Sequence, residues 1–170
     1  KSLAIAASRS AQANLGTLYY YAGRYQDAAR QYEKALEIAA SDPQVVGSLA
    51  DALWLIAGRR PDAVGLYEKA AKLAEESLKV NPMEAQVIAQ LGYYHGRTGD
   101  TQSSARALAR AEALREEDMY VQYFIALAAA DRGDEATARD AIGRAQRYGY
   151  PRKLLEADPV LKRFVTGARG

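Results

Sequence analysis

The sequence predicts an all-α protein built by repeating one pair of helices. Alanine dominates its apolar residues and is the best helix former, whereas the β-branched residues typical of strands are sparse. Apolar residues follow helical spacing along most of the chain. The same pattern returns after 34 residues, as Leu15 and Leu49 illustrate. Self-similarity at this period indicates an array of stacked helix pairs.

The clearest copy of the repeat lies at residues 14–38, where Gly23 separates two amphipathic stretches. A glycine at that place typically ends a helix, because it adopts a left-handed conformation that other residues avoid. Small residues should lie where the two helices cross, with larger side chains beside them. Leu18 and Ile38 have the spacing of the same inner face. The residues expected to build the stack are Leu15, Gly16, Tyr19, Ala28, Tyr32 and Ala35.

The second repeat begins near Asp42, which can cap a helix that has Pro43 in its first turn. Gly58 marks its turn, one residue later than in the first repeat. The helix that follows is predicted over 62–80 and is about two turns longer than its counterpart. Pro82 then prevents its continuation.

Two further repeats complete the array, with Gly99 and Gly133 at their turns. The pattern ends before Pro151, after which two short helices are predicted over 151–156 and 159–164, each started by a proline. The predicted organisation is an N-terminal helix extension at 1–8, repeats at 9–42, 43–84, 85–118 and 119–150, and a C-terminal cap and tail at 151–170.

Composition argues against several classes of protein. Lys and Arg total 23 and Asp and Glu total 21, so the chain lacks the strong positive charge typical of a nucleic-acid binder. It has no cysteine, which excludes disulfides and thiol chemistry. No apolar run approaches the roughly 20 residues of a membrane span. No signal peptide is recognised, which favours a cytoplasmic location. The first residue is Lys1 rather than Met, which indicates either a piece of a longer protein or a processed form.

A helix pair of this length and pattern resembles the tetratricopeptide repeat (TPR). That family has Leu-Gly and an aromatic residue in the first helix and glycine at the turn, followed by a small residue, an aromatic residue, alanine and proline. The second repeat departs from it with Ala50 in place of glycine, and the third with His95 and Leu108 at the aromatic positions. The first repeat matches it with Leu15, Gly16, Tyr19, Gly23, Ala28, Tyr32 and Ala35, and with Pro43 displaced by three positions.

The resemblance implies a right-handed α-solenoid of about four helix pairs with a short C-terminal capping helix. The tail GYPRKLLEADPVLKRF is similar to the ends of TPR arrays in multidomain bacterial signalling and regulatory proteins. Such a cap is needed because the last repeat of a stack otherwise exposes its apolar face.

In the TPR family, the first helices of successive repeats line a concave groove. Chaperone-binding members hold a carboxylate there with Lys and Asn, but this chain has Ala13, Thr17, Ser48, Gln86 and Gln90 at the corresponding positions, so that mode is not expected. Its aromatic residues would anchor an extended peptide or a helix, and its amides would bond the peptide backbone. Trp54 is either such an anchor or a packing residue between repeats. The predicted partner-binding residues are Asn14, Thr17, Tyr20, Tyr21, Ser48, Asp51, Trp54, Gln90, Tyr93, Arg97 and Tyr123.

The sequence shows no phosphate-binding glycine loop, nucleophile elbow or acid-base carboxylate pair, so it is not expected to be an enzyme. His95, the only histidine, is expected to pack, and neither a metal site nor a cofactor is predicted. The expected function is a non-catalytic protein–protein interaction module that binds a peptide or helix of a partner. The alternative is a structural spacer or dimerisation module whose groove is filled by its own chain, by the parent protein or by a second copy.

Overall fold

The computed structural model describes residues 2–165, with side chains from residue 7 onward. This part of the chain is helical and contains no strand, which confirms the all-α prediction. It forms two compact units, an N-terminal unit that ends at Leu73 and a C-terminal unit that begins at Ala74, within helix α4. The helices are α1 (Ser2–Tyr21), α2 (Tyr25–Ile38), α3 (Pro43–Trp54), α4 (Arg60–Val80), α5 (Ala85–Arg97), α6 (Thr101–Leu114), α7 (Met119–Asp131), α8 (Glu135–Arg147), α9 (Arg152–Ala157) and α10 (Lys162–Val165).

Small residues bring α1 and α2 close together in the N-terminal unit. Ala28 and Ala35 of α2 are fully buried, and Tyr32 is buried between them. Gly16 of α1 lies directly against Tyr32, because a Cβ atom added to Gly16 would be 2.7 Å from the tyrosine ring. Only glycine therefore allows the two helices this spacing. Gly16, Ala28, Tyr32 and Ala35, which the sequence predicts for the stack, thus lie at the contact of α1 with α2.

Ala28→Leu is expected to destabilise the chain by about 1–3 kcal/mol, because three extra carbon atoms have no space in the contact of α2 with its neighbours. Chemical unfolding followed by circular dichroism measures the change. Ala109→Leu on the exposed face of α6 is the control and should change stability little. Equal stability of Ala28→Leu and wild type would contradict this packing.

Three apolar side chains of the first helix pair are more exposed than the sequence predicts. Leu15, Leu18 and Ile38 were expected to face inward, but 37%, 67% and 36% of their surfaces are exposed. In a stack of helix pairs, each apolar face is covered by the neighbouring pair. Within the described part of the chain these three side chains are covered only in part. Helical spacing therefore does not predict how deeply they are buried.

In the C-terminal unit, α5 pairs with α6 and α7 pairs with α8, while α7 also packs against α5 and α6. Gly92 allows the first of these pairs to approach closely, since an added Cβ would lie 2.8 Å from Leu108 Cγ. Asp100, Asp118 and Asp134 cap α6, α7 and α8 by accepting hydrogen bonds from backbone N–H groups of the first turns. The pairs are thus bounded by local capping and held by close packing.

The last helix is shorter than predicted. The sequence predicts a helix over 159–164, but α10 begins only at Lys162. The carboxylate of Asp158 accepts hydrogen bonds from the N–H groups of Val160 and Leu161, at 2.8 and 2.9 Å. These bonds hold residues 159–161 in a turn ahead of the helix.

No helix among residues 2–165 is both long and apolar enough to cross a membrane.

Candidate functional site

Hydroxyl groups from α1 and α3 meet at the hydroxyl of Tyr32. Thr17 Oγ1 lies 3.1 Å from Tyr32 Oη, and the side chain of Ser48 lies near the same hydroxyl. Thr17 donates its single hydroxyl proton to the carbonyl of Ala13, at 3.1 Å, so Tyr32 is the donor to Thr17. Burial, with a further contribution from the nearby charge of Asp51, raises the pKa of Tyr32 well above its ordinary value. Tyr32 is therefore neutral at physiological pH and remains a hydrogen-bond donor.

Asp51 lies between this group of hydroxyls and Tyr67, which in turn contacts Trp54. Its carboxylate accepts a hydrogen bond of 2.6 Å from the hydroxyl of Tyr67, which is fully buried. The rings of Tyr67 and Trp54 make an edge contact with 6.2 Å between centroids. Trp54 is half-buried, so it contributes to packing and also reaches the surface of the N-terminal unit.

Aromatic rings also gather at the C-terminal end of α1. Tyr20 makes edge contacts with Tyr21 and Tyr25, with centroids 5.6 and 5.7 Å apart. All three side chains are half-buried, and Asn14, farther back on α1, is exposed. Most of the partner-binding residues predicted for the first two repeats thus keep solvent-accessible surface.

Two residues predicted to contact a partner are instead buried in the C-terminal unit. Tyr93 is 2% exposed and Gln90 is 8% exposed, which contradicts the expectation that they present their side chains to a partner. Tyr93 packs against Tyr94 and Phe124, with ring centroids 6.0 and 5.9 Å away. The neighbouring aromatic residues cover Tyr93, which periodicity along α5 alone does not reveal.

Arg97 is also occupied within the C-terminal unit. Its Nε donates to the hydroxyl of Tyr93 at 2.9 Å and lies 3.0 Å from the carboxylate of Asp131. The Arg97 side chain is only 6% exposed. Burial raises the pKa of Asp131, although the Arg97 charge opposes this effect. Arg97 therefore stabilises the contact of α5 with α7.

The C-terminal segment covers Tyr123 of α7. The Tyr123 hydroxyl donates to the carboxylate of Asp158 at 2.9 Å, and its ring stacks on Tyr150, with 4.8 Å between centroids and 8° between ring planes. Asp158 is completely buried, and this burial raises the pKa of its carboxyl group. The predicted binding residue of the fourth repeat is thus engaged by the chain itself.

Models of protein families match the chain in two places. Two tetratricopeptide repeat models match, one at residues 10–42 and the other at residues 90–151. Together these matches cover more than half of the 170 residues. The chain belongs to the tetratricopeptide repeat family.

The fold is also that of a solved TPR protein. The crystal structure of TTC0263, a thermophilic TPR protein of Thermus thermophilus, aligns with a TM-score of 0.52 and 19% identity, over 88% of this chain and 79% of that one. A crystal structure of MamA aligns with a TM-score of 0.46 and 16% identity, over 82% and 77% of the two chains. No curated protein sequence matches the chain.

TPR arrays are in general non-catalytic scaffolds for protein interaction. The side chains described in this TPR protein include no group of three or more His, Cys, Asp or Glu residues that could hold a metal ion. His95 is half-buried, with Nε2 3.9 Å from the carboxylate of Glu75.

Three residues of these sites lie outside the predicted set of binding residues. Tyr32 is predicted only as a core residue, and Tyr150 and Asp158 are assigned to no site. Tyrosine at a core position is itself an indication, because a buried hydroxyl needs a hydrogen-bond partner. The sequence Asp158-Pro159 ahead of a short helix could likewise indicate a cap. The stacking of Tyr150 on Tyr123 has no comparable indication in the sequence.

The raised pKa of Asp158 predicts an unusual pH dependence for the TPR protein. A carboxyl group whose pKa is raised in the folded state favours folding most when protonated, so its contribution falls as pH rises above the ordinary pKa of 3.8. Relative to Asp158→Asn, which keeps an acceptor oxygen, wild type should therefore lose stability as pH rises above about 4. Thermal unfolding of both proteins across this range measures the difference.

Asp134→Asn is the matched control, because hydrogen bonds from Thr137 lower the pKa of Asp134. A carboxyl group with a lowered pKa contributes stability that is present above the ordinary pKa and is lost as pH falls. The stability of wild type relative to Asp134→Asn should therefore rise, not fall, with increasing pH. If the stability difference from wild type followed the same pH trend in Asp158→Asn and in Asp134→Asn, the raised pKa of Asp158 would not explain the pH dependence.

Proposed function

We propose that the chain is a non-catalytic binding module that holds an extended peptide or a helix of a partner protein against its N-terminal unit. The observation that carries this proposal is the meeting of Thr17 and Ser48, from the first helices of two successive repeats, at one tyrosine hydroxyl. The proposed surface, called here the hydroxyl face, consists of Asn14, Thr17, Tyr20, Tyr21, Ser48, Asp51 and Trp54.

The chemistry of the hydroxyl face suits a polypeptide. Thr17 Oγ1 can accept a hydrogen bond from a peptide N–H, the Ser48 hydroxyl can bond a peptide backbone, and Asn14 offers an exposed carboxamide. Tyr20 and Trp54 offer large, partly exposed rings, and such rings are common anchors in protein interfaces. A partner would thus gain both backbone hydrogen bonds and apolar contact.

Capture of partners from a lysate of the source organism tests this function. We expect wild type to retain a specific protein that the double variant Asn14→Ala/Tyr20→Ala no longer retains. The control is Glu33→Ala/Lys34→Ala, which changes two exposed residues of α2 and should retain it. Equal retention by all three proteins would place the binding surface elsewhere and overturn the proposal.

Trp54→Ala is expected to weaken binding of the captured partner by about 2 kcal/mol, the scale of an aromatic hot spot. Trp54→Phe should lose less, since it keeps a ring against Tyr67. Isothermal titration calorimetry with the purified partner measures both effects. Unchanged affinity in Trp54→Ala would remove Trp54 from the site.

The structural alternative is favoured by one observation in the C-terminal unit. There, the predicted binding residue Tyr123 bonds Asp158 and stacks on Tyr150 of the same chain. If the hydroxyl face is likewise filled by a second copy, the protein is a dimerisation module. Sedimentation distinguishes these functions, because an obligate dimer with the Trp54 emission of a dry environment would favour the alternative.

A further inference from the structure

The turn between α3 and α4 is longer and more apolar than the other turns within helix pairs. In the turns before α6 and α8, the glycine is followed by an aspartate, Asp100 or Asp134, that caps the next helix. In the turn at residues 55–59, no aspartate follows the glycine, and the half-buried apolar residues Leu55 and Ile56 precede it. Leu55 and Ile56 therefore keep part of their apolar surface accessible at this turn.

The end of α3, the turn and the start of α4 together line an open cavity of about 480 Å³. Trp54, Leu55, Ile56 and Pro61 supply apolar lining, and Arg60 supplies the positive charge. The cavity is open to solvent, and its volume leaves space for one bulky side chain.

The charge at the edge of the cavity is not balanced by the chain. Arg59 forms an ion pair with Asp62, at 2.5 Å. Arg60 is exposed, and its guanidinium lies 5.1 Å from the centroid of the Trp54 ring. No carboxylate among the described side chains forms an ion pair with Arg60. A ligand with one negative charge beside an apolar group would complement this arrangement, because a guanidinium bonds a carboxylate through two parallel N–H groups.

We infer that this cavity binds a peptide segment of the partner in which a bulky apolar residue is followed by an acidic one. The apolar side chain lies against Trp54, Ile56 and Pro61, and the carboxylate pairs with Arg60. The inference deepens the proposed function and rests on it, because Trp54 belongs to both the cavity and the hydroxyl face. A nucleic acid is a poorer match, because a single unbalanced cation is too little for a phosphate backbone.

Two blocked tetrapeptides test the inference directly, acetyl-Gly-Phe-Glu-Gly-amide and its Gln counterpart, which differ only in the charge next to the ring. Both are titrated to about 10 mM into the ¹⁵N-labelled full chain, since short peptides bind in the millimolar range or weaker. We expect the Glu peptide to shift the indole N–H of Trp54 and the amides of Ile56 and Gly58. We expect the Gln peptide to bind about fivefold more weakly, because it cannot form a charge-assisted pair.

Arg60→Gln should abolish the preference for the Glu peptide while leaving the weak binding of the Gln peptide unchanged. Lys34→Gln, which removes an exposed cation of α2, is the control and should keep the preference. Equal affinity of wild type for the two peptides, or shifts that avoid residues 54–61, would overturn the inference.

The lysate experiment separates failure of the inference from failure of the proposed function. If Asn14→Ala/Tyr20→Ala abolishes capture but the peptides do not differ, the hydroxyl face stands and the cavity does not bind this sequence. If the chain binds the Glu peptide more tightly than the Gln peptide but capture does not depend on Asn14 and Tyr20, the cavity is a binding site by itself and the hydroxyl face is excluded.

Discussion

Asp158→Ala is expected to lower the free energy of unfolding of the C-terminal unit by about 3 kcal/mol, because it leaves three donors without their acceptor in a buried position. These donors are the hydroxyl of Tyr123 and the N–H groups of Val160 and Leu161, at 2.8–2.9 Å from the carboxylate. Denaturant unfolding followed by circular dichroism measures the loss. The expected loss is large because Asp158 both holds the turn that precedes the last helix and bonds Tyr123 of α7.

Asp134→Ala is the control for this experiment. Asp134 also caps a helix, through the N–H of Thr137, but it is exposed and bonds no residue of another helix. Its loss should cost clearly less than the loss of Asp158, because an exposed cap leaves its donor to water. A loss in Asp158→Ala no larger than in Asp134→Ala would mean that the bond to Tyr123 contributes nothing.

Gly92→Ala is expected to destabilise the same unit by about 2 kcal/mol, as overpacking does in a close helix crossing. The added Cβ would lie 2.8 Å from Leu108 Cγ and 3.1 Å from the Leu108 backbone nitrogen. A side chain can rotate away, but the backbone nitrogen moves only if α5 and α6 separate. The chain is therefore expected to lose contacts along this pair of helices.

Gly143→Ala separates crowding from helix propensity. Gly143 lies within α8, and an added Cβ would meet no atom within 4 Å. Alanine there should stabilise the protein by about 0.5–1 kcal/mol, because glycine is a poor helix former. Unfolding curves of both variants give the comparison, and a gain in stability in Gly92→Ala would show that the crossing is looser than the distances indicate.

The helix pairs could be predicted from sequence because their determinants are local. Turn glycines such as Gly23 and Gly99 adopt φ angles of 75° and 90°, and their positions define the helix ends. Small residues at helical spacing, such as Gly16 and Ala28, correctly locate a close crossing. Periodicity therefore predicts both where a helix lies and which face it packs.

The degree of burial could not be predicted, because it depends on what covers a face rather than on the face itself. Leu18 has core spacing but is exposed, whereas Tyr93 has the spacing of a binding residue but lies under other rings. The contact of Tyr123 with Asp158 joins residues 35 positions apart. Pairings of this kind arise from tertiary packing and leave no period in the sequence.

The position of Trp54, the only tryptophan of the chain, makes the cooperativity of unfolding measurable without labels. Trp54 lies in the N-terminal unit, so its emission follows that unit alone, while circular dichroism averages the helices of both units. Coincident curves would show that the two units unfold in one transition, and separate curves would show that each has its own stability. In the second case, Asp158→Ala and Gly92→Ala should shift only part of the dichroism curve and leave the tryptophan curve in place.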